Sequence, residues 1–483
     1  MRTRERTREL RRAWRGRTSR PEAVDVAYRL YLVAIIALFL VAPAVAVVID
    51  ALSTRQALAT LGSAASTATL VTVVGLAWAA LAWFGGLYGP VVLDPAHVVL
   101  WAGTDLPRRA GLRRALVSRG VWLAVLASAV AGLVVGAMLR GGLESPGSAA
   151  ALVLASAAAG AGGSVLWLAG QVAGRFSWVL GAGLAALTAL ASALRPGEAP
   201  ALAAIGILAL LSALVAPTLL DRLRGPDLLA SATRWQSVST MARYADVPGA
   251  LGSLRALPRR GRRWPAVWRG SPAARFAVAG LVAAWRTTGR FVTGTLVLAG
   301  AAGVLALAPQ LPAGPLVGGI GALLGYLALG VFCDGLRHAS ELAIHPALYG
   351  YGRWRTFALH ALTPLAMLAL AGAGGLGLAA AVDDRALVLG PVLVLPILLM
   401  VRVWDSAKGQ LPVALLAPVP TPIGDLSGLN VLAWLSDAPL ASILAGALVT
   451  ANLTGGRPME AALVAAASVG LLLLGLRRRI GND

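Results

Sequence analysis

Residues 199–219 read APALAAIGILALLSALVAPTL and contain no charged side chain. An α-helix of this length spans about 30 Å, which is the thickness of the hydrocarbon core of a bilayer. Comparable uncharged runs occur at 30–49, 121–139 and 438–456. The sequence therefore predicts an all-α polytopic membrane protein.

The composition of the whole chain supports this prediction. Of its 483 residues, 58% are hydrophobic and only 13% are charged, whereas soluble domains have about 25% charged residues. Lipid must cover the surface that polar residues would otherwise cover. Cys333 is the only cysteine, which excludes an intrachain disulfide and a cysteine metal site.

The apolar runs divide the chain into about twelve transmembrane helices. We predict spans at 27–49, 66–92, 119–140, 149–171, 177–194, 199–219, 291–309, 315–333, 357–381, 386–403, 433–453 and 458–476. The fifth span and the region 404–432 depart from this pattern, because Pro412, Pro418, Pro420 and Pro422 interrupt the latter. A broken or re-entrant segment is expected there, buried by protein.

The distribution of charge predicts the orientation of these spans. The net charge is +21, and Lys408 is the only lysine. Residues 1–20 contain nine arginines and residues 220–290 contain thirteen, whereas the alternate loops contain few. Cytoplasmic loops collect positive charge, so we expect both termini in the cytoplasm of a bacterial cell. This explanation is stronger than nucleic-acid binding, and no nucleic-acid partner is expected.

The predicted organisation is thus two six-helix halves joined by a basic segment. It comprises a cytoplasmic basic N-terminus (1–26), a first six-span half (27–219), a basic cytoplasmic linker with an interfacial helix (220–290), a second six-span half (291–476) and a cytoplasmic C-terminus (477–483).

A long inner segment, here called an elbow, separates the second and third spans of each half. Residues 93–126 and 333–367 both begin near an aspartate, continue for about twenty semi-polar residues and end at a basic pair. Their offset is about 240 residues, half of the chain, which predicts an internal repeat. The residues of elbow 1 are Asp94, Leu106, Pro107, Arg108, Arg109, Arg113 and Arg114, and those of elbow 2 are Asp334, Tyr349, Arg353 and Arg355.

The sequence lacks the residues that several functions require. A P-loop needs a lysine followed by serine or threonine after a glycine-rich turn, and Lys408 is followed by glycine. His338 and His345 could share a helix face, but no third metal ligand is apparent, so no metal site is predicted. No acid lies at mid-depth in a span, as ion-coupled transport would require. No catalytic residues are predicted, and we do not expect an enzyme.

The elbows have three possible roles. Their arginines and tryptophans could lie among anionic lipid headgroups, they could dock a soluble partner, or they could act on a substrate. Two elbows in matching positions suit a two-fold symmetric partner, which favours docking in addition to lipid contact.

The stretch from Asp94 to Leu126, with its Leu-Pro-Arg-Arg turn, a short basic helix and then an alanine- and leucine-rich span, resembles the permease subunits of ABC exporters with six spans per half. More loosely, the chain resembles large fused actinobacterial permease-like membrane proteins. The resemblance implies that each elbow is a coupling helix for a separate ATP-binding cassette ATPase, expected to be a dimer. Elbow 2 departs from the pattern, because Leu348-Tyr349-Gly350-Tyr351-Gly352 replaces the Pro-Arg-Arg turn.

The resemblance further implies a connecting helix before the seventh span, containing Trp268, Arg269, Trp285 and Arg286. The expected function is export of an unknown hydrophobic or amphipathic substrate, with no cofactor in this chain and ATP-Mg bound by the partner. A secondary transporter with a 6+6 layout, a membrane-embedded enzyme and a non-transporting scaffold remain the alternatives.

Overall fold

A computed structural model gives the fold. It describes residues 31, 34, 37–38, 42–62, 64–102, 104, 106–143, 145–194, 197–243, 261, 263–265, 270–311, 313–343, 350–382, 387–409, 411–417, 420–421, 424–425 and 427–481. The chain divides into two compact units, one comprising Met1–Met241 and Gly249–Leu254 and the other Ala242–Pro248 and Arg255–Asp483. The predicted bounds of the halves and of the linker stay predictions.

The described part of the first unit is helical. Its helices are α1 (Ala42–Leu52), α2 (Arg55–Leu61), α3 (Ala64–Gly85), α4 (Pro95–Ala102), α5 (Arg108–Arg140), α6 (Pro146–Ala173), α7 (Ser177–Ala193), α8 (Glu198–Arg222) and α9 (Gly225–Arg243). A 3₁₀ turn, Gly174–Phe176, joins α6 to α7.

The second unit is helical apart from two very short strands. Its helices are α10 (Pro272–Arg286), α11 (Thr288–Leu307), α12 (Gly314–Leu329), α13 (Asp334–Leu342), α14 (Arg353–Val382), α15 (Leu389–Ser406), α16 (Ser427–Thr454) and α17 (Pro458–Ile480). Strands β1 (Pro420–Thr421) and β2 (Gly424–Asp425) pair antiparallel between α15 and α16, and 3₁₀ turns occur at Ala308–Gln310 and Val413–Leu416.

The structure confirms an all-α protein with many apolar helices. Within the described residues, nine helical stretches are long and apolar enough to cross a membrane, or ten if α12 and α13, bent by 66°, form one span. The prediction of twelve spans differs for local reasons. About half of the first predicted span lies outside the described residues, and α12 has only 16 residues.

One of the nine stretches, Pro146–Ala193, is 48 residues long and contains a reversal of the chain. The contacts of α3 with α6 advance in the same direction along both helices, and those with α7 advance in opposite directions. The pairs are Trp78 with Ala159 and Gly85 with Trp167 for α6, and Gly75 with Thr188 and Gly86 with Ser177 for α7. Helices α6 and α7 are therefore antiparallel, and the turn is made at Gly174, where φ is +54°.

In both halves the helix of the second predicted span packs closely against the helix of the fifth. In the first unit Gly75 of α3 lies against Thr188 of α7, and in the second Gly318 of α12 lies against Thr450 of α16. A Cβ atom on either glycine would overlap the threonine side chain. Small residues thus allow close helix contact, as is common in membranes.

The expected position of the short helix in elbow 1 was wrong. The basic residues after Pro107 do not form a separate short helix; they are the first turns of the 33-residue helix α5. A short helix does occur in elbow 1, but earlier, as α4. Between Arg108 and the apolar run there is no proline to end a helix, so the basic and apolar segments continue as one.

Candidate functional site: two elbows and a buried charge network

Elbow 1 is built on a small apolar core that joins the short helix α4 to the ends of long helices. Val98 of α4 and Leu112 and Leu116 of α5 are buried against Leu220 and Leu228, at the end of α8 and the start of α9. Helix α9 was not predicted from the sequence. Its leucines at 228 and 229 and its alanine at 232 form too short an apolar stripe to stand out in a polar segment.

The loop before α4 is fixed by side chains from α6. The Val91 N–H donates to Gln171 Oε1 (3.3 Å) and Gln171 Nε2 donates to the Val91 carbonyl (3.2 Å). Trp167 Nε1 donates to the carbonyl of Tyr88. Gln171 and Trp167, the polar residues of the fourth span, therefore satisfy the backbone of this loop.

Asp94 begins the short helix of elbow 1. Its Oδ1 accepts a hydrogen bond from the Ala96 N–H at 2.9 Å, so the carboxylate satisfies a donor at the start of α4. One turn later, His97 stacks on Trp101, with ring centroids 6.3 Å apart. Burial lowers the pKa of His97, and the charge of Asp94 opposes that shift.

The four arginines of elbow 1 have different environments. The Arg109 N–H donates to Asp221 Oδ1 at 2.9 Å and its guanidinium lies 3.5 Å from Oδ2. Arg108 lines a small cavity with Trp101 and Leu228. Arg113 and Arg114 are exposed, and within the described residues neither has a hydrogen bond or ion pair. Leu106 is half-buried, and Pro107 precedes the first residue of α5.

Elbow 2 is held by its own charges. Asp334, the first residue of α13, forms two hydrogen bonds with Arg290 of α11, at 2.8 and 3.2 Å. Leu336 and Ala339 of α13 are buried in the core of the second unit. Asp94 and Asp334 thus both stand at the start of a short helix, and among the described residues only Asp334 has a cation bound there.

The basic pair of elbow 2 is also occupied. Arg353 Nη1 donates to the Ile480 carbonyl at 3.0 Å, and the Arg355 guanidinium lies 4.4 Å from the centre of the Tyr351 ring. Tyr349 lies outside the described residues. Elbow 2 therefore offers fewer open cations than elbow 1 among the residues that the structure describes.

The predicted connecting helix corresponds to α10. Trp285 packs edge-on against Phe291 (5.1 Å), and Arg286 donates to the carbonyls of Gly261 and Trp264 at 3.3 and 3.1 Å. Thr363 Oγ1 of α14 donates to the Ala277 carbonyl at 3.1 Å, which fixes α10 against α14. Trp268 and Arg269 lie outside the described residues.

Among the described residues, the histidine that lies next to His338 is not His345, which the sequence suggested as its partner. His338 of α13 lies next to His360 of α14, with ring centroids 6.0 Å apart, whereas His345 lies outside the described residues. Phe276 packs edge-on on His360 at 4.8 Å. In the part of the chain that the structure describes, no group of three or more potential ligands is placed to hold a metal ion.

The sequence analysis missed a network of charges in the second unit. Lys408, after α15, contacts Asp405 at 3.0 Å and Asp437 of α16, and only 4% of its side chain is exposed. Arg402 lies 3.7 Å from Asp405, and Arg479 of α17 lies 3.8 Å from Asp437. Three cations and two carboxylates from three helices and a loop therefore share one half-buried region.

Aromatic side chains complete this network. Tyr326 of α12 donates its hydroxyl to Asp405 Oδ2 at 2.8 Å, and its ring faces the Arg402 guanidinium at 3.5 Å. The Arg479 guanidinium lies 3.7 Å from the Trp404 ring. These contacts join α12, α15 and α17 to α16 at one end of the unit.

Pro439 lies within α16, two residues after Asp437. Proline has no N–H, so the helical hydrogen bond at this position is absent. Lys408 donates to the Trp434 carbonyl at 3.0 Å, and the Ala438 N–H donates to Asp437 Oδ1 at 2.6 Å. Side chains of the charge network thus support α16 where its own ladder is interrupted.

Many of the arginines at this end cap helices. The last carbonyls of a helix have no partner within it, and they bear partial negative charge. The donor and acceptor pairs are Arg290 to Gly330 (3.2 Å), Arg353 to Ile480 (3.0 Å), Arg402 to Tyr326 (2.8 Å) and Arg479 to Trp404 (2.8 Å). The excess of arginine on the predicted cytoplasmic side thus has a structural role besides orientation.

No protein-family model, no curated protein and no solved structure matches this chain. The geometry of the elbows and of the charge network is therefore the basis for the functional proposal.

Proposed function

We propose that this chain is the membrane-spanning permease subunit of an ATP-driven exporter in a bacterial cell membrane. Its twelve spans form two pseudo-repeated six-helix halves, with both termini in the cytoplasm. A separate ATP-binding cassette ATPase dimer binds ATP-Mg and drives export of a hydrophobic or amphipathic substrate. This chain itself catalyses no reaction.

The observation that supports the proposal best is the repeated arrangement of a short helix between the second and third long helices. Helix α4 precedes α5 in the first unit, and α13 precedes α14 in the second. Each short helix has buried apolar side chains, Val98 in α4 and Leu336 in α13. A short helix anchored in this way can transmit a displacement at the cytoplasmic surface to the spans on either side.

The contacts between helices support the repeat. In the first unit α3 packs along α7 and α6 along α8, and in the second unit the helices of the corresponding predicted spans, α12 with α16 and α15 with α17, pack in the same way. A pseudo-symmetric membrane protein with two elbows suits a partner that is itself a symmetric dimer, because equivalent surfaces can then meet twice.

Two steps test the proposal: a search of the neighbouring genes for an ATP-binding cassette protein, whose absence counts against the proposal, and co-purification of this chain with such a protein. Arg113→Ala/Arg114→Ala removes two exposed cations of elbow 1, and we expect association to fall severalfold. Arg477→Ala/Arg478→Ala is the matched control, since it removes two exposed cations from the end of α17; it should leave association unchanged. If neither variant affects association, elbow 1 does not dock the ATPase. Transport driven by a proton gradient without ATP contradicts the exporter.

A secondary transporter is the second candidate, because of Asp405 and Asp437. Carboxylates held by cations within a helical membrane protein occur in proton and ion pathways. Here both carboxylates are neutralised by Lys408 and arginines, which favours a structural role. Asp437→Asn distinguishes the two: loss of gradient-driven substrate accumulation in vesicles, with unchanged thermal stability, supports the transporter.

A further inference from the structure

The last turn of α17 separates its three consecutive arginines. Arg479 turns inward, where it donates to the Trp404 carbonyl at 2.8 Å and lies 3.8 Å from Asp437. Successive residues in a helix are rotated by about 100°, so Arg477 and Arg478 cannot share this direction. Both are exposed, and within the described part of the chain neither has a hydrogen bond or ion pair.

An exposed apolar stripe leads along α17 to these two arginines. Leu471 is 70% exposed and Leu474 is 57% exposed, and they precede Arg478 by seven and four residues, which places them on its face of the helix. Leu463 and Met459 continue the stripe toward the start of α17, and both are exposed. From Met459 to Leu474 the stripe is about 22 Å long, similar to the length of an extended acyl chain.

We propose that this face of α17 binds one anionic phospholipid, with its phosphate on Arg477 and Arg478 and an acyl chain along Leu474 and Leu471. Guanidinium groups match the oxygens of a phosphate and bind them through charge-assisted hydrogen bonds. Two open cations at the end of an apolar stripe combine both parts of such a lipid. The stripe distinguishes this site from one for a soluble anion, which would need no apolar surface.

Native mass spectrometry of the full chain, delipidated and then titrated with lipid, tests the proposal. The probes are phosphatidylglycerol and phosphatidylcholine with identical acyl chains. The wild-type protein should retain phosphatidylglycerol in preference. Arg477→Gln/Arg478→Gln should weaken phosphatidylglycerol binding about 25-fold, since each surface cation contributes about a factor of five. Phosphatidylcholine binding should weaken much less, because the choline cation offsets the charge of its phosphate.

Two control variants define the result. Arg457→Gln removes an exposed cation at the opposite end of α17, where it pairs with Glu460, and should not alter phosphatidylglycerol binding. Arg477→Lys/Arg478→Lys keeps the positive charge and should retain most of the phosphatidylglycerol binding. That result would also show that the loss of binding in the Gln variant is not due to misfolding. Equal phosphatidylglycerol binding by the Gln variant and wild type overturns the proposal.

Competition separates the lipid from a free anion. Inorganic phosphate at millimolar concentration should not displace phosphatidylglycerol, because it cannot contact the leucines. Complete displacement would show a headgroup site only and overturn the assignment to a phospholipid. Leu471→Asn/Leu474→Asn should weaken phosphatidylglycerol binding while Arg477 and Arg478 are intact, and an unchanged affinity in that variant also contradicts the proposal.

Discussion

Replacing Lys408 with methionine should destabilise the second unit by about 2–3 kcal/mol. Methionine has a similar length and apolar stem, so packing is largely retained. The ammonium group is lost from a site where only 4% of the side chain is exposed, together with its contacts to Asp405, Asp437 and the Trp434 carbonyl.

The magnitude follows from the charges that remain. The network changes from three cations and two carboxylates to two of each. Arg402 still lies 3.7 Å from Asp405, and Arg479 still lies 3.8 Å from Asp437, so neither carboxylate is left unpaired. The loss is therefore below the ~3–5 kcal/mol of an uncompensated buried charge. It approaches the ~1.5–3 kcal/mol of a hydrogen bond made by a charged group.

Cys333 provides the assay. It is the only cysteine of the chain, and it is buried in the core of the second unit. Labelling by a thiol-reactive dye in detergent, measured against temperature, reports the opening of this core. Lys408→Met should shift the labelling transition to lower temperature. Arg478→Met, which removes an exposed cation, should change stability by less than about 0.5 kcal/mol. Equal transitions for both variants would refute the assigned role of Lys408.

Three further predictions concern packing, pH and orientation. Gly318→Ala should destabilise the second unit by about 1–3 kcal/mol, because its Cβ would overlap Thr450, whereas Gly300→Ala, with open space at its Cβ, should be close to neutral by the same Cys333 assay. Burial lowers the pKa of His97, so the unfolded state binds a proton more readily, and the stability of α4 should be lost as pH falls below about 6.5. Hydrogen exchange of α4, corrected for its intrinsic pH dependence, should accelerate there in the wild type and not in His97→Asn. Ser231→Cys, in a chain with Cys333→Ala, should react with an impermeant thiol reagent only after cells are permeabilised; reaction in intact cells would reverse the predicted orientation.

The helices were largely predictable because lipid imposes a strong pattern on sequence. A spanning helix needs about twenty apolar residues in one run, and such runs can be counted directly. The reversal at Gly174 agrees with the predicted spans 149–171 and 177–194, between which Arg175 follows that glycine.

The charge network could not be predicted by the same means. Tyr326, Lys408, Asp437 and Arg479 are separated by tens of residues along the chain, and each alone has an ordinary position near the end of a span. Their proximity depends on how α12, α15, α16 and α17 pack, which hydropathy does not specify. One signal was available: Lys408 is the only lysine in an arginine-rich chain.

A short helix lies in each of the two segments called elbows, but the internal structure of these segments was not predicted. The charged run from Arg108 to Arg114 suggested an independent helix, whereas helix propensity continues through it into α5. Which arginines are open and which are bound depends on partners far away, such as Asp221 for Arg109. Only the three-dimensional structure separates them.

The hydrogen bond that Pro439 removes weakens α16 at one point along its length. Pro439 separates two segments of α16, a first segment from Ser427 to Ala438 and a second from Leu440 to Thr454. Lys408, in the chain that follows α15, donates a hydrogen bond to the Trp434 carbonyl of the first segment. The close contact between Gly318 and Thr450 packs the second segment against α12. A displacement of the first segment would therefore be passed to α15, whereas the second segment stays in place on α12.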